Sequence, residues 1–378
     1  MSQVKLFHHP NPVQIQLKNA GNRSVSLTEY IAEFCPSLVG PKAVYNPTSY
    51  LFNGHLQTGY AAYYTHSPTV NATECREFVD TPDGGCVALD WAPTKEGLEN
   101  DATPTLVVLH GLTGGSHESY IRCLLEITYP PFNYRAVVMN CRGCANSEIK
   151  TPQMYSGGYT DDLRVVLAHI QKRLPPNTPL VGIGFSLGSN ILVKYLGEEG
   201  EKTPLKAGVS VANPFDFRMS MDKLNDSYVG RKIYSATMAN NLKNAFGKHL
   251  DTLAKGGKIN PEEVMAAKTI REFDDACTRK MFDYTTVNNY YRDASSCRFI
   301  EHVKVPLLCL NALDDPIAAA ECIPYDEIKT NPNVVLATTD YGGHLGWFEH
   351  IKYPTRWMVK PLTEFIVAMF QVKKSISN

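Results

Sequence analysis

The chain has no uninterrupted apolar run of the ~18 residues that a membrane-spanning helix requires. Contact with a membrane or lipid droplet is therefore expected to be peripheral at most. The N-terminal stretch, with Pro10, Asn11 and Pro12 beside His8 and His9, also lacks the apolar segment of about 7 to 15 residues that a secretory signal needs. Secretion is disfavoured, and a cytoplasmic location is expected. Charge of one sign is missing too. The 37 Lys and Arg residues stand against 38 Asp and Glu, a formal net charge of -1, so no basic excess is present to neutralise a nucleic-acid backbone. Nucleic acid is not an expected partner. Metal-ligand spacing is absent among the 10 cysteines. Cys141-Arg142-Gly143-Cys144 is a lone C-x-x-C without a second pair or a His cluster, and reads as a loop rather than a zinc or redox site. Cys75, Cys86, Cys141 and Cys309 lie in or beside apolar runs, where cysteine acts as a small hydrophobe, so a reducing compartment is expected. No cofactor and no metal is implied, and there is no internal repeat.

Short runs of β-branched and aliphatic residues are abundant. They recur at 75–79, 86–91, 105–109, 135–140, 180–185, 207–211, 306–311 and 334–338, giving eight candidate strands. Most of the later runs are continuously apolar rather than alternating, as in strands covered by helices on both faces. Between them lie segments of helical period. In 159–174, Leu163, Val166, Leu167 and Ile170 recur every three or four residues before Pro175-Pro176 stops the pattern; 187–196 and 357–370 read alike. The expected fold is α/β, with an eight-stranded, mostly parallel sheet and helices on both faces. About ninety polar, helix-like residues separate Ala212 from Pro306. An insertion at the C-terminal edge of a strand lies over the ligand crevice of such a sheet, so a helical cap is expected over 213–300. Residues 73–212 and 301–378 form the core, and the Pro-, Asn- and Tyr-rich segment 1–72 reads as an irregular N-terminal extension laid on it.

Gly184-Phe185-Ser186-Leu187-Gly188 follows an apolar strand and opens a helical segment, the setting of a nucleophile elbow. The turn is tight and its backbone strained, which is why glycine flanks the serine. A serine hydroxyl needs a base, and in this arrangement the partners follow in the order Ser, acid, His. His344 stands in Tyr341-Gly342-Gly343-His344, a glycine-rich loop between the final strand and the last helix. His302 and His350 compete less well, one before a strand and the other beside the last helical stretch. The acid should leave the penultimate strand, where Ala312-Leu313-Asp314-Asp315-Pro316 offers two aspartates. Asp315 is favoured because Pro316 and Ile317 follow it, with Asp314 the alternative. An oxyanion needs two backbone N–H donors. Leu187, after the nucleophile, is one; Leu112, in His110-Gly111-Leu112-Thr113-Gly114-Gly115, is the other, since Gly111 lets the backbone turn its amide inward. That loop lacks the Lys and the spacing of a phosphate-binding loop.

These segments, with Asn53-Gly54-His55-Leu56-Gln57-Thr58, Asn140-Cys141-Arg142-Gly143-Cys144 and Ala212-Asn213-Pro214-Phe215-Asp216, resemble an α/β-hydrolase family. It includes the YheT-like bacterial esterases, the plant embryogenesis-associated-protein-like hydrolases, and the fungal medium-chain fatty acid ethyl ester synthase/esterases and monoacylglycerol hydrolases. The resemblance covers about three quarters of the chain. It implies a Ser186, Asp315, His344 triad, a small-molecule fatty-acyl ester as substrate, and an acyl-enzyme resolved by water or by an alcohol. Vertebrate members carry an N-terminal anchor with no counterpart run in this sequence, so the resemblance favours the soluble fungal type over an enzyme of membrane phospholipids. The expected activity is that of a serine carboxylic ester hydrolase. The alternatives are a hydrolase-fold binding protein without catalysis, or a thioesterase or peptidase on the same triad. No chemistry is assigned to His55, which reads as packing the extension.

Overall fold

Residues 1–17, 24–64, 75–93, 96–128 and 132–376 are described by a computed structural model of the chain. One large sheet holds nine strands: β1 (Lys5–His8), β2 (Arg76–Asp80), β3 (Cys86–Ala92), β4 (Thr105–Leu109), β5 (Arg135–Asn140), β6 (Leu180–Phe185), β7 (Ala207–Val211), β8 (Leu307–Ala312) and β9 (Val334–Thr339). Their spatial order is β1-β9-β8-β7-β6-β4-β5-β3-β2. The six strands β4 to β9 run parallel, while β3 pairs antiparallel with β5 and β2, and β1 antiparallel with β9. The eight strands expected from the apolar runs are all present. The ninth, β1, comes from the extension read above as irregular, and it covers the open edge of β9, with Leu6 opposite Ala337.

The helices that position the site are α1 (Gly54–Tyr63), α2 (Ser119–Thr128), α3 (Asp161–Arg173), α4 (Leu187–Glu199), α5 (Phe217–Asp226), α6 (Ala236–Lys248), α7 (Val287–Ala294) and α8 (Val359–Gln371). In β4, Leu106 and Val108 join the core with α2 and α8, whereas Val107 and Leu109 face α3 and α4. Both faces are thus buried, which explains why these strands show no polar alternation. Burial of each such side chain stabilises the fold by roughly 1.5–3 kcal/mol.

Between β7 and β8 the chain is helical and carries its own apolar cluster around Phe246, Phe273 and Tyr291. Part of this segment is broken into short pieces, Pro261–Ala266, Ile270–Phe273 and a π-helical turn, Asp274–Thr278. The expected boundary at residues 72 and 73 lies outside the described residues. No described helix is long and apolar enough to cross a membrane.

Candidate active site

β6 ends at Phe185 and α4 begins at Leu187, so Ser186 alone carries the reversal between strand and helix. Its φ of 52° and ψ of -116° are strained for an L residue, a cost of about 1–3 kcal/mol that its surroundings must hold. They do so through the Ser186 N–H, which donates to the Val211 carbonyl on β7 at 2.9 Å, and through the Asn190 N–H, which donates to the Ser186 carbonyl at 3.2 Å. Gly188 is obligatory, because a Cβ there would lie 2.5 Å from the His110 carbonyl oxygen.

The loops after β8 and β9 bring Asp315 and His344 to this turn. His344 Nε2 lies 2.8 Å from Ser186 Oγ, and His344 Nδ1 lies 2.8 Å from Asp315 Oδ2. The other oxygen of Asp315 accepts the N–H groups of Ile317 at 2.8 Å and Ala318 at 2.9 Å. A carboxylate only accepts, so Nδ1 carries the imidazole proton and Nε2 turns a lone pair to the serine hydroxyl. Asp314 does not reach the ring. Its Oδ1 accepts the Gly343 N–H at 2.9 Å, and burial pushes its carboxyl up to about 6. The competing histidines lie at the surface, His302 60% and His350 63% exposed in their side chains.

The Asn53 to Thr58 motif, to which sequence reasoning assigned no chemistry, holds the histidine loop. Asn53 caps α1, its side chain accepting the Leu56 N–H at 2.9 Å. Gly54 packs so closely that a Cβ would fall 1.8 Å from the Asp314 carbonyl oxygen. Thr58 Oγ1 accepts the His344 N–H at 2.8 Å and donates to the Gly54 carbonyl at 2.7 Å. Gln57 clamps the loop farther along, its Oε1 accepting the Phe348 N–H at 2.9 Å while its Nε2 donates to the Leu51 carbonyl at 2.7 Å. His55 turns instead to the helical stretch between β7 and β8. Its ring stacks on Tyr234 with centroids 5.7 Å apart, and its Nδ1 is 2.8 Å from the Tyr234 hydroxyl. An Asn directly before Gly-His-Leu-Gln-Thr is an N-cap signal; α1 escaped notice because its sequence has little apolar period.

The loop after β4 is held at both ends. His110 Nε2 accepts the Cys141 N–H at 3.0 Å, so Nδ1 bears the proton and donates to the Gly111 carbonyl at 2.6 Å. Burial lowers His110 to about 4, which keeps the ring neutral at physiological pH. At the far end Ser116 donates to Asp90 through its hydroxyl at 2.5 Å and to Asn140 through its amide at 2.9 Å. Within the loop the Gly111 and Thr113 amides donate to the hydroxyls of Tyr120 and Tyr155, at 2.9 and 2.7 Å, and Gly114 donates to the Gly111 carbonyl at 3.1 Å. The Leu112 amide has no acceptor among the described residues, and neither does that of Leu187 in the first turn of α4, where helices leave their N–H groups unpaired. The left-handed residue of this loop is Thr113, at φ 56°. Gly111 supplies room, since a Cβ there would lie 3.4 Å from Ser186 Cβ.

Cys141-Arg142-Gly143-Cys144 is a turn closed by the Cys144 N–H on the Cys141 carbonyl at 2.9 Å. Buried Arg142 pairs with Asp162 and Asp83, each at 2.6 Å. Burial raises both thiols, Cys144 to about 12.

Ser186, Leu112 and Leu187 open on a mostly apolar cavity that is also lined by Phe217, Met221, Met238 and Leu242 from the helical stretch between β7 and β8. Leu112 also borders a polar cleft lined by Thr113, His117, Glu118, Lys248 and His249. Such an arrangement can take a proton from a hydroxyl, stabilise a developing oxyanion and shelter an alkyl chain.

A serine on a sharp strand-to-helix turn, with an aspartate and a histidine delivered from the ends of the last two parallel strands, defines the α/β-hydrolase class. Residues 104–351 match the family described as the alpha/beta hydrolase fold, and the chain belongs to that family. It is 33% identical to the monoacylglycerol lipase of Saccharomyces cerevisiae over 91% of this chain and 85% of that protein. It is 34% identical to Phospholipase ABHD3 of Bos taurus, covering 93% of this chain and 84% of that one. With the medium-chain fatty acid ethyl ester synthase/esterase 2 of S. cerevisiae the identity is 29%, over 93% and 91%.

Proposed function

We propose that Ser186, His344 and Asp315 form the catalytic triad of this chain and that it cleaves fatty-acyl esters through an acyl-enzyme. The chain is a carboxylic ester hydrolase. The observation that carries the assignment of residues is the unbroken relay Asp315–His344–Ser186, with both contacts at 2.8 Å, opening on an apolar cavity. His344 Nε2 takes the hydroxyl proton as Ser186 Oγ attacks the ester carbonyl. The carbonyl oxygen becomes an oxyanion facing the amides of Leu112 and Leu187, each worth roughly 3–4 kcal/mol of transition-state stabilisation. His344 then returns the proton to the departing alcohol, while Asp315 holds the ring and stabilises the imidazolium without taking a proton. Water deacylates the serine by the same steps in reverse, and an alcohol in its place forms a new ester.

The cavity suits an alkyl chain, and the polar cleft beyond Leu112 suits a polar alcohol or incoming water. Relatives named for monoacylglycerol, for fatty acid ethyl esters and for phospholipids point to fatty-acyl substrates. The test is labelling with a fluorophosphonate probe, together with turnover of p-nitrophenyl esters from acetyl to palmitoyl, with and without ethanol. Wild type should label at one site and turn over, and Ser186→Ala should do neither. Full labelling of Ser186→Ala ends the assignment. Silence of wild type toward every ester and the probe favours a non-catalytic binding protein.

A further inference from the structure

The cavity next to Ser186 is apolar along its walls yet contains a carboxyl group that the triad chemistry does not use. Asp274 is the only carboxylic acid lining it among the described residues, and it is 7% exposed. Asp274 opens the π-helical turn Asp274–Thr278 in the helical stretch between β7 and β8, whereas Ser186 stands at the end of β6 in the sheet. Turns of this kind are frequent at functional sites. Two hydroxyls fix the carboxyl: Thr278 Oγ1 donates to Oδ1 at 2.7 Å and Tyr291 Oη to Oδ2 at 2.9 Å. No cation pairs with it among the described residues. Arg271, the nearest, donates to Asn288 at 2.8 Å. Burial pushes the carboxyl up to about 6, a sign of how little solvent reaches it.

A line of contacts leads to it from the nucleophile. Leu187 follows Ser186, and its side chain and the Phe217 ring both pack against Gly157 on the cavity wall; Phe217 faces Tyr291 with centroids 6.4 Å apart; Tyr291 holds Asp274. An acyl chain following this wall gains from each methylene it removes from water, until its methyl end meets a polar carboxyl group that it cannot hydrogen-bond.

We propose that Asp274, held by Tyr291 and Thr278, closes the distal end of the acyl cavity and sets the longest acyl chain the enzyme accepts. This rests on the ester-hydrolase reading above. The test is kcat/KM for p-nitrophenyl esters from acetyl to palmitoyl, with active sites counted by fluorophosphonate labelling, in wild type, Asp274→Val and Asp274→Asn. Asp274→Asn keeps the shape, with one hydroxyl still donating to its amide oxygen and the other rotated to accept from its NH2, so it guards against a folding failure of the Val variant. In Asp274→Val the ratio of long-chain to butyryl activity should rise about tenfold or more, the discrimination worth of a methylene or two. Asp274→Asn should move the same way by a smaller factor. A merely structural role lowers every chain length alike, and a profile that keeps its wild-type shape in both labelled variants overturns the proposal. Absence of labelling in wild type, by contrast, removes the ester-hydrolase reading and this one with it.

Discussion

Exchanging Asp315 for Asn tests the relay more severely than deleting it, because the substituted amide has no choice of orientation. One side of the present carboxylate is claimed by two donors, the N–H groups of Ile317 and Ala318 at 2.8 and 2.9 Å, and only the amide oxygen can satisfy them. The NH2 end must then face His344 Nδ1, where Asp315 Oδ2 now sits at 2.8 Å. The ring answers by accepting at Nδ1 and carrying its proton on Nε2, toward Ser186 Oγ. A protonated Nε2 cannot take the hydroxyl proton. The same tautomer trap in a serine protease of another fold costs about 10⁴ in kcat, or roughly 5.4 kcal/mol at 1.36 kcal/mol per tenfold, and a loss of that order is expected here. No side-chain volume changes, so Tm should stay near wild type. Asp314→Asn is the control: its oxygen still accepts the Gly343 N–H, and kcat should fall less than about tenfold, with one neutral hydrogen bond kept. Steady-state hydrolysis of p-nitrophenyl butyrate and the rate of fluorophosphonate labelling read both. Asp315→Asn retaining more than about 1% of kcat, or Asp314→Asn losing as much as Asp315→Asn, refutes the argument from tautomer.

Two further outcomes follow from the histidine loop. Thr58→Val keeps the shape of the side chain but removes the acceptor of the His344 N–H. An amide left without a partner costs about 1–3 kcal/mol, so kcat should drop between about 5- and 150-fold with KM little changed, and an unaltered kcat contradicts the role given to α1. The second concerns pH. The Asp314 carboxyl is raised to about 6 in the fold, above its unfolded value, so its contribution to stability is full below about pH 4 and is lost as pH rises through about 6. At most about 3 kcal/mol is involved, and about 1–2 once solvent screening is allowed for. Denaturation by urea should therefore show Asp314→Asn gaining on wild type between pH 4 and pH 8, whereas a constant difference across that range counts against the burial argument. Asp274 titrates alongside it but is common to both proteins and cancels.

The parts of this molecule that were legible in the sequence are those where one strong local demand acts. Strands buried on both faces must be apolar throughout, and Leu106 to Leu109 display this without help from the rest of the fold. A serine reversing a strand into a helix must have room on either side, hence Gly184 and Gly188. By contrast, β1 is only Lys-Leu-Phe-His, partly exposed along its length, and nothing local separates it from a loop; it is a strand because β9 offers it an edge. Between Asp314 and Asp315 the sequence offered a local preference, Pro316 and Ile317 after Asp315, whereas the contact of Asp315 with His344 depends on how two distant loops meet. The wall that Asp274 completes depends on how broken cap helices fold back over the sheet, a tertiary fact with no periodic trace.

The imidazole of His344, 2.8 Å from Ser186 Oγ, hangs from a loop whose amide is caught by Thr58, and β9, which launches that loop, is edged by residues 5–8. The contact that seats this imidazole therefore joins residues 286 positions apart. Residues remote from the elbow along the sequence thus decide where the proposed base sits, and a change in α1 or in the strand at residues 5–8 bears on the site without touching Ser186.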